Sequence, residues 1–311
     1  MSSLIKGRYS ILLDSQKKEI PEDGLELFDL IVNDGDVRPY SGGMIPPHWH
    51  PEIELFVVTE GSIGVGIGEN IYPLQTGEGC FINGEILHSF TPLAPSLCHY
   101  HSFVFDAGIV GGAPGSIFDT MYVRPLLENG PSYLQFQPSE NAYFFDQFQY
   151  AFSACEKTEE GYEFQVRHAF SNILLYVKQH SNLIPAHTFS SLKQDRLKQM
   201  ISWIDEHLTS EITLKSLAAS ANICTRECQR LFASYLHYTP TEYIRRRRLF
   251  FASEEIASTD LPITEIALSY GFPSPSYFSK QFKSVFGSSP SEYRILIQSH
   301  QNVENQKKVG E

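Results

Sequence analysis

Gly42, His48, His50, Glu54 and Gly61 follow the spacing G-x5-H-x-H-x3-E-x6-G. In an extended strand alternate side chains share a face, so His48, His50 and Glu54 would point the same way. Imidazole nitrogens and carboxylate oxygens are donors that suit divalent transition ions such as Zn, Mn, Fe or Ni. The same groups also serve as hydrogen-bonding lining for a polar small molecule. Trp49, Tyr40 and Phe56 offer aromatic faces nearby, and His101, with His99, repeats the period-2 placement on a later strand beside Phe103 and Phe105. His, Glu and Trp together suit a sugar, whose hydroxyls need polar partners and whose apolar ring face stacks.

These residues sit in a strand-rich region. From about residue 25 to 136, short apolar runs (Ile53 to Val58, Ile63 to Ile67, Gly79 to Ile82, Tyr100 to Phe105) are interrupted by turn signals. Those signals are Asn33-Asp34-Gly35-Asp36, Glu60-Gly61, Gly68-Glu69-Asn70 and Gly77-Glu78-Gly79. That pattern predicts an all-β sandwich or barrel. Near Pro138 the period changes. Ser139 is a candidate N-cap, and apolar residues then recur every three to four positions from Phe144 to Cys155 and from Val166 to Val177. The two stripes predict a helical hairpin over 139–181, packed on the β-domain, on a partner subunit to give a homodimer, or on both. Residues 182–194 have weak periodicity and are expected to be a linker; 195–298 are expected to be helical and 299–311 a disordered tail.

The chain has 311 residues, 42% apolar and 19% charged, which is globular composition with room for two domains. Its apolar runs are too short for a membrane helix and its start lacks a secretory signature, so a cytoplasmic protein without membrane contact is expected. Cys80, Cys98, Cys155, Cys224 and Cys228 are odd in number and scattered, which fits a reducing compartment. Cys224 and Cys228 stand i, i+4 without a second pair, and packing is their simplest role. The net charge of −12 hides an asymmetry. Residues 1–192 carry 9 Lys and Arg against 23 Asp and Glu, whereas 193–300 carry 13 against 11. The C-terminal part alone has a balance compatible with nucleic acid.

Within that part, segments 214–236 and 263–286 share a layout. Each has a short helix with small residues (Leu217-Ala218-Ala219; Ile266-Ala267-Leu268), a tight turn (Ala221-Asn222-Ile223; Tyr270-Gly271-Phe272), and a second helix with an aromatic core position (Phe232; Phe282). This is helix-turn-helix grammar, in which the second helix enters a major groove. Between them Thr241 to Ser258 reads as one long helix, roughly 27 Å at about 1.5 Å per residue, enough with its turns to set two recognition helices about 34 Å apart. The run Arg245 to Arg248 fans around that helix, so one or two of its members would touch phosphate. Arg248 is expected to pair with Glu254 or Glu255.

Two resemblances follow. Leu217-Ala218, Arg230-Leu231-Phe232, Pro240, Tyr243, Arg248-Leu249, Ala252, Ile266-Ala267, Gly271-Phe272, Tyr277-Phe278, Phe282-Lys283, Phe286-Gly287 and Ser289-Pro290-Ser291-Glu292-Tyr293-Arg294 resemble the DNA-binding domain of AraC/XylS-type transcription regulators. The resemblance places base-reading positions of the first recognition helix on Arg226, Gln229 and Arg230, types that pair with guanine and adenine. In the second unit it places them on Pro275, Ser276 and Lys280, of which Lys280 is the main candidate. Gly42 to Gly61, with Asn83-Gly84-Glu85-Ile86-Leu87-His88, resembles the two motifs of the cupin jelly roll. That resemblance implies a ligand set of His48, His50, Glu54 and His88, although Gly84 departs from the usual second motif.

The expected fold is therefore multi-domain α+β. It has an N-terminal cupin-like β-jelly-roll barrel (1–138) plus a helical hairpin, and a C-terminal all-α domain with two helix-turn-helix motifs. The expected function is a ligand-responsive, sequence-specific regulator, an activator or a repressor. Its expected partners are double-stranded DNA, a small polar effector such as a sugar touching His48, Trp49, His50, Glu54, His88 and His101, and RNA polymerase. No cofactor is required, and a divalent transition metal in the barrel is the open question. The competing expectation is a metal-dependent cupin enzyme with an accessory DNA-binding module. A fatty-acid or peptide sensor is disfavoured by the polar lining.

Overall fold

The computed structural model describes residues 5–6, 28–37, 44–93, 98–181 and 191–295. Tyr40, Gly42, the expected linker residues 182–190 and the expected tail 299–311 lie outside them. Two compact units divide at Ser191/Leu192.

The first unit is built on two sheets. Strands β1 (Ile5–Lys6), β2 (Leu30–Asp36), β4 (Ile53–Glu60), β7 (Gly79–Ile82), β9 (His99–Phe105) and β10 (Tyr133–Phe136) form one, in the order β1-β2-β9-β4-β7-β10. Strands β3 (Ile45–His48), β5 (Ser62–Ile67), β6 (Asn70–Gln75) and β8 (His88–Pro92) form the other, in the order β3-β8-β5-β6. Pairing is antiparallel except between β1 and β2. The sheets meet face to face, with Phe56 of β4 stacked between Phe90 of β8 (4.4 Å) and Tyr100 of β9 (4.7 Å).

Strand alternation sends Val32, Leu55, Phe81, Phe103 and Leu134 to the opposite face of the six-stranded sheet, where α3 (Ala142–Lys157) and α4 (Tyr162–Ser181) cover them. Phe148, Phe152 and Phe170 pack edge-on against Phe103 at 4.9–6.0 Å. Burying each such ring contributes about 1.5–3 kcal/mol. The apolar stripes that suggested a subunit interface are thus buried within the same chain.

Four local expectations are corrected. Asn33-Asp34-Gly35-Asp36 is not a turn but the end of β2, paired residue for residue with β9; a continuous partner strand overrides the local turn preference. Residues 106–132 are not strand-like. They form α1 (Gly108–Gly111), a π-helical turn (Asp119–Val123) and α2 (Arg124–Asn129), which bury Val110, Val123 and Leu126. Helix α3 begins after Asn141, not Ser139; Asn141 Oδ1 accepts the Gln137 amide at 2.9 Å. The linker ends earlier than expected, because α5 (Ser191–Glu206) already includes residues 191–194.

The second unit contains α5, α6 (Leu214–Ser220), α7 (Thr225–Leu231) with its π-helical continuation Phe232–Leu236, α8 (Pro240–Ser258), α9 (Ile263–Ser269) and α10 (Pro275–Phe286). Pro240 starts α8 where its missing amide costs nothing, and Thr239 caps it by accepting the Glu242 amide. Among the described residues no helix is long and apolar enough to cross a membrane.

Candidate functional site

His48, His50, Glu54 and His88 converge, and all four are buried, each at most 5% exposed. The route differs from the single strand expected. His48 ends β3 on the four-stranded sheet and pairs across the ladder with His88 of β8. The chain then crosses to the other sheet, so Glu54 on β4 faces them from the opposite wall, with His50 in the crossing. Gly84 explains its departure from the usual motif. A Cβ there would stand 2.3 Å from the Pro51 carbonyl oxygen, so only glycine lets the β7–β8 turn lie against this crossing. Beside it the Glu85 amide donates to the His50 carbonyl at 2.7 Å.

Each imidazole is oriented from behind. His48 Nδ1 donates to Pro46 O (2.8 Å), His50 Nδ1 to Glu52 O (3.0 Å) and His88 Nδ1 to Ile86 O (2.7 Å). A carbonyl only accepts, so the proton sits on Nδ1 and the Nε2 lone pair is left for the cluster. His88 Nε2 lies 3.0 Å and His50 Nε2 3.6 Å from Glu54 Oε2, neither well aligned as a hydrogen bond to that oxygen. Burial, followed by the charges of His88 and His50, pushes His48 well below the usual imidazole range. Burial alone would raise Glu54; the contacts of His50 and His88 outweigh it and bring the carboxyl down to about 2. Lone pairs of three imidazoles and a carboxylate around one point suit a cation there, either a proton on a ring nitrogen or a metal ion. Donor types, inward lone pairs and backbone-fixed rings all fit a transition ion.

The other lining candidates divide. Trp49 is half-buried in the crossing between His48 and His50. His101 is a correction. It lies opposite Asp34 and Val57 on the helix-facing side of the sheet, its ring stacked on Phe152 at 3.9 Å and 5°. Glu54 points the other way, because residues of opposite parity on paired strands face opposite sides.

In the second unit the two helix-turn-helix segments repeat at atomic detail. Asn222 and Gly271 hold the equivalent turn position in the left-handed region (φ 53° and 71°). Ile223 N donates to Ala218 O and Phe272 N to Ala267 O, both at 3.1 Å. Cys228 and Leu231 anchor α7 inward, and Phe278 and Phe282 anchor α10. Arg226, Gln229 and Arg230 on α7, and Ser276 and Lys280 on α10, are exposed. Arg230 is held in a bidentate pair with Glu227, at 2.8 and 2.6 Å. Cys224 is exposed and Cys228 buried, which is not a shared ligand pair. Sequence reasoning missed Tyr277, 41% exposed on α10 beside Ser276; an aromatic beside the Phe278 anchor reads as core until the helix is built.

The run Arg245 to Arg248 is structural. Arg245 and Arg246 both hold Glu242, and Arg247 is buried against Asp205 at 3.0 and 3.1 Å. Arg248 does not pair with Glu254 or Glu255. It donates to the carbonyls of Leu208 (2.9 Å) and Ser210 (2.6 Å) beyond the end of α5.

A paired helix-turn-helix with exposed second helices, on a chain that also carries a separate sheet-rich unit, defines a DNA-binding transcription regulator with its own ligand-binding domain. Comparison with known proteins agrees. Residues 37–174 match the AraC-like ligand binding domain, and residues 217–295 match a helix-turn-helix domain model. The chain is 23% identical over 290 residues to the uncharacterized HTH-type transcriptional regulator YdeC of Bacillus subtilis, covering 92% of this chain and 99% of that protein. It is 37% identical over 101 residues to the regulatory protein SoxS of Salmonella typhimurium, covering 32% of this chain and 94% of SoxS. A crystal structure of an apo ToxT variant from Vibrio cholerae aligns over 86% of this chain and 98% of that one, with 16% identity and a TM-score of 0.47. The chain belongs to the AraC family of ligand-responsive transcription regulators. It is a regulator rather than an enzyme, since its matched domains and these relatives are regulatory.

Proposed function

We propose that this regulator grips duplex DNA with α7 and α10 in major grooves, under the control of a divalent transition metal held by His48, His50, Glu54 and His88. The observation that carries the metal is the set of buried donor atoms converging on Glu54, each imidazole turned by its own backbone carbonyl. When bound, the ion supplies a Lewis-acid contact for an oxygen of a small polar effector. The chain's residues fix the donors and keep water out. A sugar, the effector class suggested by Trp49 and the histidines, would reach the cluster from the Trp49 side, because Phe56, Phe90 and Tyr100 fill the interior beyond it. A ligand shifts DNA affinity only through its differential binding to the two states.

On the DNA side, Arg226 and Gln229 are assigned to base edges and Lys280 to the second groove. Arg230 is oriented for its contact by Glu227. The dimer interface is assigned to the outer faces of α3 and α4, where Tyr143, Tyr150, Phe164 and Leu175 are exposed; sedimentation of the full chain reads it.

The test combines metal analysis with a promoter gel shift. Full-length protein loaded with Zn, Mn, Fe or Ni should retain about one ion that Glu54→Gln or His88→Gln abolishes, and DNA affinity should change between loaded and chelated protein. Retention unaffected by both substitutions refutes the metal. Failure to shift any upstream fragment at low salt refutes the DNA reading. Sugars tested alongside in thermal shift identify that effector class if they stabilise wild type but not His88→Gln.

A further inference from the structure

A second constellation lies on the opposite face of the six-stranded sheet. Asp34 of β2 stands directly across from His101 of β9, and His99 lies two residues along the same strand and face. His99 Nε2 and His101 Nε2 lie 3.4 and 3.3 Å from one oxygen, Asp34 Oδ1. That oxygen is itself buried and receives no well-aligned hydrogen bond, although the Asp34 side chain as a whole is 41% exposed.

We infer that Asp34, His99 and His101 form a second, independent transition-metal site of the Zn(II) type, open to solvent at the sheet surface. Ligand atoms about 2.0–2.1 Å from a tetrahedral ion stand about 3.3–3.4 Å apart, which is the distance of each histidine nitrogen from Asp34 Oδ1. His99 is prepared for the role. A β-bulge between Val58 and Glu60 leaves Thr59 extra in β4, and its Oγ1 meets His99 Nδ1 at 3.0 Å. In the tautomer whose Nδ1 donates to that hydroxyl, Nε2 keeps its lone pair for an ion, the arrangement that supports metal-bound imidazoles. Phe152 of α3 fixes the His101 ring by stacking. The surroundings are acidic. Asp36 and Glu60 stand opposite His99 on the two flanking strands, and Glu156, on the turn of α3 after Phe152, acts on His101 with its charge. A simple ion pair would align one N–H on the carboxylate. Two ring nitrogens 3.3–3.4 Å from one oxygen, neither well aligned to donate to it, suit an ion between them.

This site does not depend on the barrel cluster, and one experiment separates them. Full-length protein is stripped with chelator, dialysed against Zn(II), and its metal content measured; Co(II) absorption reports the geometry. His99→Gln/His101→Gln should hold one ion fewer than wild type whether or not the barrel ion is present, whereas Glu54→Gln should leave this ion in place. Thr59→Val should weaken Zn(II) binding at this site roughly 10- to 100-fold without removing a ligand, and tetrahedral Co(II) absorption should vanish in Asp34→Asn. Asp34, Thr59, His99 and His101 are all at least partly exposed, so these variants should fold as wild type by circular dichroism. Equal metal content in wild type and His99→Gln/His101→Gln, or no ion bound by wild type, overturns the inference.

Discussion

Arg247 holds the DNA-binding unit together, and its removal gives a measurable loss. The guanidinium is 2% exposed on α8 and donates twice to Asp205 of α5, with the Phe251 ring 5.0 Å away. Arg247→Met keeps most of the volume but removes the guanidinium from the Asp205 carboxylate, whose side chain is only 11% exposed. Breaking one partner of such a buried pair costs about 3–5 kcal/mol, whereas replacing both by apolar residues is often neutral. Arg247→Met should therefore lower the stability of the second unit by about that amount, and Arg247→Met/Asp205→Leu should recover most of it. The chain has two tryptophans, Trp49 and Trp203. Trp203 lies on α5 with its ring stacked on His207 at 4.2 Å, so urea unfolding followed by fluorescence in a Trp49→Phe background reports this unit. A single variant that loses less than about 1 kcal/mol, or a double variant no more stable than the single, would show that the pair does not bear on α5–α8 packing.

Arg226→Ala and Gln229→Ala should each weaken specific DNA binding by about 1–3 kcal/mol and relax preference at one base position, read by competition anisotropy. Lys280→Ala should likewise weaken specific binding by about 1–3 kcal/mol, with the lost preference falling in the second half-site. Glu254 is pushed up to about 7 by burial, against the pull of Arg247. Between the ordinary value of 4.5 and that point the folded chain keeps a proton the unfolded chain releases, so stability falls as pH rises through this window and is level above it. Glu254→Gln should flatten that slope and stabilise the unit above pH 7 by up to about 3 kcal/mol, measured by denaturation across pH. Gly271→Ala forces a Cβ into φ 71° and within 3.1 Å of Arg248, and should cost about 1–2 kcal/mol by the same fluorescence assay.

The DNA-binding half was the more legible in the sequence. Its pattern is local: small residues, a left-handed turn and buried aromatics recur within each segment, so Ala218, Asn222 and Phe232 announce their neighbours without distant information. The barrel cluster was legible in its members but not its construction. His48 and Glu54 share parity in the sequence, yet they meet because the chain changes sheets between them. The same period-2 logic misplaced His101, since nothing local tells which face of a strand looks inward. Asp34 carried a turn signal that a paired neighbouring strand overrode. Strand β6 was unread because it is an exposed edge carrying Pro73, a residue edges tolerate. The arginine run resisted assignment because its partners, Asp205 and the carbonyls of Leu208 and Ser210, lie about 40 residues upstream.

The Arg248 side chain donates to the carbonyls of Leu208 and Ser210 and occupies the space a Cβ on Gly271 would need. Arg248 thus ties the long helix α8 to the connection after α5, and the length of α8 sets the phase between the two helix-turn-helix units that flank it. Inserting a single residue there would rotate the second of them by about 100° and advance it by about 1.5 Å. On the proposed DNA reading, operators would keep their two half-sites at constant helical phase, and a change in that spacing would require a matching change in the length of α8.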